Sequence, residues 1–117
     1  MRKNIFCLAF LGLSLCVSAE YFIEISPSSE SKPYEMRLGE VKSFEVLAYR
    51  KAEPTNSTVS LEDKVWWEYD KMLLEKMSSG KTSIGLKAIY VGITSLTATT
   101  LIKNNHCQKK ITILITK

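Results

Sequence analysis

Apolar side chains recur at every second position through most of the chain. Ile23 and Ile25, and further on Phe44, Val46 and Ala48, alternate with polar or smaller residues. A period of two is that of a β-strand with one buried face, because successive side chains point to opposite sides of a sheet. After the first twenty residues, no segment keeps the apolar spacing of a helix for more than two turns. The pattern therefore predicts an all-β domain.

The alternation and the turn residues between the apolar runs predict about seven strands. The side chains expected to face inward are Tyr21, Ile23, Ile25, Tyr34, Met36, Leu38, Phe44, Val46, Ala48, Val65, Trp67, Ile84, Leu86, Ala88, Ile111, Ile113 and Ile115. Short strands with turn signals every eight to twelve residues are typical of an immunoglobulin-like β-sandwich built from antiparallel strands.

The segments between these strands have turn and loop composition. Residues 51–64 are polar and aperiodic and are expected to form the longest loop, a kind of segment that often carries function. Leu73 to Met77 is consistent with either a short strand or a single helical turn. Gly92 is expected at a corner, and Asn104 and Asn105 at a tight hairpin turn, since asparagine tolerates a positive φ.

The first nineteen residues have the features of a secretory signal peptide. A basic start at Arg2 and Lys3 precedes an apolar run, and Val17-Ser18-Ala19 is a small-residue cleavage site. The domain would then comprise residues 20–117, in a secreted or periplasmic protein. The apolar run is too short for a comfortable transmembrane anchor. Acylation of Cys16 in a lipoprotein is the alternative.

Composition points to one small domain, which we expect to be monomeric. The chain has 117 residues and a net charge of +4, but residues 20–117 carry only 14 basic and 12 acidic side chains, so nucleic acid is not an expected partner. Cys7 and Cys16 would leave with the signal peptide. Cys107 is therefore expected to be free or to pair with another molecule, with no internal disulfide.

Four stretches of the chain stand in the order and spacing of a known family. They are Ile23 to Pro27, Leu38-Gly39-Glu40, Val65-Trp66-Trp67 and Gly92 to Ala98. Together they resemble the group 2 bacterial immunoglobulin-like family, whose domains recur in bacterial surface adhesins and secreted proteins. The resemblance implies a non-enzymatic binding or structural module of the bacterial envelope or surface.

A second resemblance covers the same fold. Chagasin-like inhibitors of papain-type cysteine proteases are single immunoglobulin-like domains of similar size, with three hallmark loops. Glu53 to Ser57 is similar to the first loop, Asn-Pro-Thr-Thr-Gly, and Ser79-Gly80 to the glycine-rich second. Leu101 to Asn104 stands in place of the third, Arg-Pro-Trp or Arg-Pro-Phe. This resemblance implies a secreted protease inhibitor as the alternative function.

The residues with catalytic or metal-binding chemistry are few. His106 and Cys107 are neighbours in a predicted strand, so they point to opposite faces and cannot form a dyad. The sequence indicates no enzyme, no cofactor and no metal site. Asn56-Ser57-Thr58 fits a glycosylation acceptor, although a solvated loop is the more ordinary interpretation. Glu62, Asp63 and Asp70 are interpreted as solvated charges.

The two adjacent tryptophans must face opposite sides of their strand. Trp67 shares a face with Val65 and is expected to be the central buried residue, which leaves Trp66 on the other side. Trp66 could contact a partner, or the long loop could fold over it. The candidate partner contacts are Trp66, Pro54, Thr55, Asn56, Gly80 and Asn104. The expected partner is a protein or a carbohydrate at the envelope or outside the cell.

Overall fold

The fold is all-β in the residues that the computed structural model describes, which are 15–16, 20–28 and 32–117. These residues form ten strands and no helix. The strands are β1 (Leu15–Cys16), β2 (Tyr21–Ser26), β3 (Tyr34–Arg37), β4 (Val41–Arg50), β5 (Ser57–Val59), β6 (Trp66–Tyr69), β7 (Leu74–Ser79), β8 (Ser83–Ala88), β9 (Gly92–Ile102) and β10 (Asn105–Thr116).

The strands form two sheets. In one, the β4 sheet, the order is β2-β4-β8-β7, and β5 pairs with β4 beyond the end of β8. In the other, the β9 sheet, the order is β1-β10-β9-β6, and β3 also pairs with β10. All pairs are antiparallel except β3 with β10. Along the chain, the strands cross from one sheet to the other at β1–β2, β2–β3, β3–β4, β5–β6, β6–β7 and β8–β9, and the two sheets confirm the predicted sandwich.

The core lies between the sheets and follows the predicted alternation. On four strands, the residues predicted to face inward are buried except Tyr21, which is partly exposed at the start of β2. The buried ones are Ile23, Ile25, Phe44, Val46, Ala48, Ile84, Leu86, Ala88, Ile111, Ile113 and Ile115. Phe44 is the largest fully buried side chain, and the ring of Tyr34 meets it edge-on at 5.5 Å between centroids. This edge-to-face contact is a favoured aromatic geometry, and it links β3 of one sheet to β4 of the other.

The structure settles two edge segments. Ser57–Val59, predicted as part of the long loop, pairs with Ala48–Arg50 as β5. Leu74–Ser79 is a strand, which is one of the two alternatives predicted for this part of the chain. Both are edge strands in which most side chains are exposed, so their pairing depends on backbone hydrogen bonds more than on apolar alternation. Leu38, predicted inward, is 47% exposed because it lies in the turn where Gly39 adopts a φ of +88°.

The ends of the strands define two ends of the sandwich. Leu38 N–H donates to the Thr116 carbonyl (2.7 Å) and Gly39 N–H to the Ala88 carbonyl (2.8 Å), so the end of β10, the end of β8 and the β3–β4 turn lie together. The other end holds residues 51–56 and 103–104, and we call it the loop end. The turn at residues 80–82 lies short of that end, because the Thr82 carbonyl accepts from Val46 N–H and β5 pairs with β4 beyond this point. The ion pair of Arg50 with Glu20 and the bond from Lys51 N–H to the Glu20 carbonyl are also at the loop end.

A disulfide joins Cys16 to Cys107 in this structure. Cys16 lies in β1 opposite Cys107 of β10, and the Cys107 side chain is fully buried. The prediction that Cys107 lacks a partner within the chain is therefore wrong for a chain that retains residue 16. The predicted signal peptide, residues 1–19, lies mostly outside the described residues, and its cleavage stays a prediction.

Candidate functional site

The first loop of the loop end carries Pro54, Thr55 and Asn56, and all three are exposed. The Asn56 side-chain oxygen accepts a hydrogen bond from Ala52 N–H at 3.2 Å, which closes the loop on itself. Such a bond from an asparagine side chain to nearby backbone is a common way to order a loop. The backbone then enters β5 at Ser57, so the three predicted contact residues lie on a short ordered loop.

The second loop is the turn that contains Gly80 between β7 and β8. Gly80 N–H donates to the Ser83 carbonyl at 3.0 Å, and Val65 N–H donates to the Lys81 carbonyl, also at 3.0 Å. The second bond fastens the turn to the end of the long loop. This bond attaches the residues just before β6, a strand of the β9 sheet, to the β7–β8 turn of the β4 sheet.

The third loop is the β9–β10 hairpin, in which Lys103 and Asn104 have φ values of +50° and +68°. Two successive residues with positive φ are the mark of a type I′ turn, whose twist matches that of the flanking strands. The predicted turn is present, but its centre is one residue earlier than expected, and Asn105 already belongs to β10. The Asn105 side chain donates to the Lys103 carbonyl at 3.3 Å.

Trp66 lies apart from these loops. Its side chain is 67% exposed on the outer face of the β9 sheet, while its neighbour Val65 is buried. The Lys64 ammonium lies 5.7 Å from the centroid of the Trp66 ring, within the range of a cation–π contact. The structure therefore brings Pro54, Thr55, Asn56 and Asn104 to one end of the sandwich. It leaves Gly80 short of that end and Trp66 on the outer face of the β9 sheet, uncovered by the long loop.

Trp67 faces the core, as predicted, but it is not the central buried residue. It is partly exposed and packs against the buried cluster from the edge strand β6. Its indole Nε1 is buried and has no hydrogen-bond partner in the described part of the chain. The centre of the core is formed instead by aliphatic side chains and Phe44, because β6 is too short and too close to the sheet edge for full coverage.

The side chains with catalytic or metal-binding chemistry lie apart from one another. His106 is exposed and Cys107 is buried on the opposite face of β10, as their adjacency predicts. Glu62 and Asp63 are exposed. Among the described residues, no group of three or more histidine, cysteine or acidic side chains is arranged to hold a metal ion. These residues also contain no helix with the length and apolar character needed to cross a bilayer.

One electrostatic interaction stands out at the end opposite the loops. The Glu40 carboxylate accepts a hydrogen bond from Arg37 N–H at 2.9 Å and pairs with the Lys42 ammonium at 3.2 Å. The backbone N–H and then the ammonium lower the pKa of Glu40 below its ordinary value. The same carboxylate raises the pKa of Lys42. Both groups are at the surface, so this ion pair belongs to the exposed β3–β4 turn and is not part of a buried site.

The sequence interpretation missed two surfaces. One is the end opposite the loops, where a set of large apolar side chains is exposed: Leu38, Val41, Met72, Ile89, Tyr90, Val91 and Ile93. The consecutive apolar residues Ile89-Tyr90-Val91 before Gly92 were the available signal for it. The other is a polar trough on the outer face of the β9 sheet, beside Trp66.

Known proteins give no assignment for these surfaces. No family model matches the chain, and comparisons with curated proteins and with solved structures find no match.

Proposed function

We propose that this protein is a secreted, non-enzymatic binding module of the bacterial envelope or surface, related to the group 2 bacterial immunoglobulin-like domains. The observation that supports the proposal is the position of the loops. Residues predicted as partner contacts from two separate parts of the chain, Pro54 to Asn56 and Asn104, lie at the same end of the sandwich, while the Gly80 turn lies beside the β4 sheet short of that end. Loops displayed on a rigid scaffold are where binding residues concentrate.

The three loops are ordered by bonds of their own, so binding would require little rearrangement. The Asn56–Ala52 bond, the Lys81–Val65 bond and the type I′ turn at Asn104 each fix one loop. A surface that is ordered before binding loses less conformational entropy when a partner arrives. The loop end therefore has the properties of a preformed contact surface, and we expect its partner to be a protein.

Affinity capture with matched variants tests this proposal. The exported protein is immobilised and exposed to the native envelope fraction, in parallel with a Pro54→Ala/Thr55→Ala/Asn56→Ala variant. A second variant, Met72→Ala/Tyr90→Ala, removes exposed side chains from the opposite end. The proposal expects a captured partner that is lost with the first variant and kept with the second. Capture that depends only on Met72 and Tyr90, or on neither set, would contradict it.

The position of the loops also favours a second candidate, the chagasin-like inhibitor of papain-type cysteine proteases. The segment that resembles its first hallmark loop, Glu53 to Ser57, lies at the same end as the hairpin at Asn104. Ser79-Gly80, which resembles the second loop, lies short of that end. Titration against papain tests this alternative directly. Inhibition below about 1 μM would place it first, and no inhibition at about 50 μM would remove it, a difference of more than 2 kcal/mol in binding free energy.

A further inference from the structure

The outer face of the β9 sheet carries polar side chains in rows across three strands. The first row is Trp66, Thr99 and Gln108, the second is Glu68, Thr97 and Lys110, and the third contains Ser95 and Thr112. Each row follows from the strand register, and every member points away from the core because its neighbours along the strand point inward. This face is the side of the sandwich, distinct from the loop end.

The second and third rows line a trough of about 570 Å³. Its shape has a simple cause. The edge strand β6 ends at Tyr69, whereas β9 continues to Gly92, so the sheet becomes one strand narrower below the second row. Glu68 and Asp70 form one wall of the trough, Thr97 and Ser95 lie on its floor, and Lys110 and Thr112 form the other wall.

The chemistry of the trough matches a ligand rich in hydroxyl groups. Threonine and serine hydroxyls both donate and accept hydrogen bonds, the carboxylates of Glu68 and Asp70 accept them, and the Lys110 ammonium donates. A sugar hydroxyl also donates and accepts, so it can pair with every one of these groups. The carboxylates of Glu68 and Asp70 are balanced by Lys110 and by the Lys64 ammonium at the Trp66 ring, so this face has no net charge and fits a neutral ligand better than a phosphate or a uronic acid.

Trp66 adds a flat aromatic surface to the trough, whose own apolar lining is Tyr69 and Ile93. Its ring is 67% exposed, and it lies two residues along β6 from Glu68, about 7 Å away. Sugar rings have an apolar face formed by C–H groups, which packs well on an aromatic ring with an exposed face. In the same row, the Gln108 amide donates to the Thr99 hydroxyl at 3.3 Å, which fixes the orientation of that amide beside the ring.

We infer that this face binds a neutral oligosaccharide, with one sugar ring stacked on Trp66 and the following rings hydrogen-bonded along the trough. From the Trp66 row to the Ser95 row is four residues of β9, about 14 Å, which suits a short chain better than a single sugar. The inference adds a site to the proposed binding module and does not depend on the loop end.

Calorimetric titration of the purified full chain tests the inference. The probes are four neutral hexasaccharides: cellohexaose, chitohexaose, maltohexaose and mannohexaose. At least one is expected to bind with a Kd between about 10 μM and 1 mM. Trp66→Ala should raise that Kd by about tenfold or more, and Trp66→Tyr by less, because tyrosine keeps an aromatic face. Tyr90→Ala is the matched control, since Tyr90 is as exposed as Trp66 (68%) but lies at the end of the sandwich opposite the loop end.

A second pair of variants tests the trough itself. Thr97→Val keeps the shape of the floor but removes its hydroxyl and should raise the Kd several-fold, about as expected for one lost hydrogen bond. Thr58→Val, at an exposed position of β5, is its control and should change nothing. These substitutions are small, so they remain informative if Trp66→Ala impairs folding.

The results separate this inference from the proposal for the loop end. If none of the four hexasaccharides binds at 10 mM, taken as about the weakest Kd that counts as specific binding, the inference is overturned. Binding that is unchanged by both Trp66→Ala and Thr97→Val overturns it as well. Sugar binding that is lost in the Pro54→Ala/Thr55→Ala/Asn56→Ala variant but kept in Trp66→Ala would place the sugar at the loop end instead, again overturning the inference while leaving the proposed function intact.

Discussion

Replacing each tryptophan in turn should separate the inner and outer faces of β6. Trp67 packs against the core from the edge strand and is partly exposed, so Trp67→Ala should cost about 3 kcal/mol, the lower end of the range for large aromatic truncations. Trp66 is 67% exposed, and its main described contact is with the Lys64 ammonium. Its removal should cost less than about 1 kcal/mol.

Trp67→Phe isolates the contribution of the indole N–H. The substitution keeps an aromatic ring against the core and removes a buried donor that has no partner in the described residues, whose burial costs about 1–3 kcal/mol. That relief should offset much of the lost apolar contact. We therefore expect the unfolding free energy of Trp67→Phe to lie within about 1 kcal/mol of the wild type.

Urea denaturation followed by far-UV circular dichroism measures all three variants, since the loss of the β-sheet signal gives a midpoint without relying on tryptophan fluorescence. With an m value of about 1.5 kcal/mol/M, Trp67→Ala should lower the midpoint by about 2 M and Trp66→Ala by well under 1 M. Equal losses for the two alanine variants would show that the outer face of β6 is covered in solution. A larger loss for Trp66→Ala would mean that the register of β6 is shifted by one residue.

Three further predictions follow from local geometry. Because the folded-state pKa of Glu40 is lowered, its contribution to stability is present at neutral pH and lost as the pH falls below 4.5. Glu40→Gln should therefore have a lower thermal midpoint than the wild type at about pH 7, and this difference should disappear in acid. A difference that stays constant with pH would contradict this. Lys103→Gly should raise the unfolding free energy by about 0.5 kcal/mol in a urea titration. The cost of holding a lysine in the left-handed conformation outweighs the extra conformational entropy that a glycine loses on folding. A lowered urea midpoint would argue against the type I′ turn. The intact mass of the exported protein should correspond to residues 20–117, and iodoacetamide should alkylate Cys107 once the protein is unfolded. A mass that includes Cys16, together with a Cys107 that is alkylated only after reduction, would instead show that the Cys16–Cys107 disulfide is retained.

Much of the core could be predicted from the sequence, because burial on one face leaves a period-two signal in each strand. Phe44, Val46 and Ala48 are buried while the residues between them are not, and Trp66 and Trp67 face opposite sides as the pleat requires. Lys109 shows where the signal ends. It faces inward and is buried, but a lysine carries no apolar mark, and the residues predicted to face inward on this strand begin only at Ile111.

The short edge strands and the trough could not be predicted in the same way. Ser57–Val59 and most of Leu74–Ser79 have few buried side chains, so their pairing is decided by the backbone of a neighbouring strand that only the fold supplies. The trough depends on the register of three strands that are distant in sequence. Glu68, Thr97 and Lys110 lie in one row only because β6 and β10 both pair with β9 at that point.

The parallel pairing of β3 with β10 has a mechanical consequence. β2 begins beside Glu20 at the loop end, and β10 ends beside Lys117 at the opposite end, so residues 20 and 117 lie at opposite poles. A pull between these poles acts along the strands, and the hydrogen bonds that join β2 to β4 and β3 to β10 lie across the pull. They are loaded together and must break together, instead of opening one after another. Resistance to tension is then set by the rate of that single rupture, a property separate from equilibrium stability.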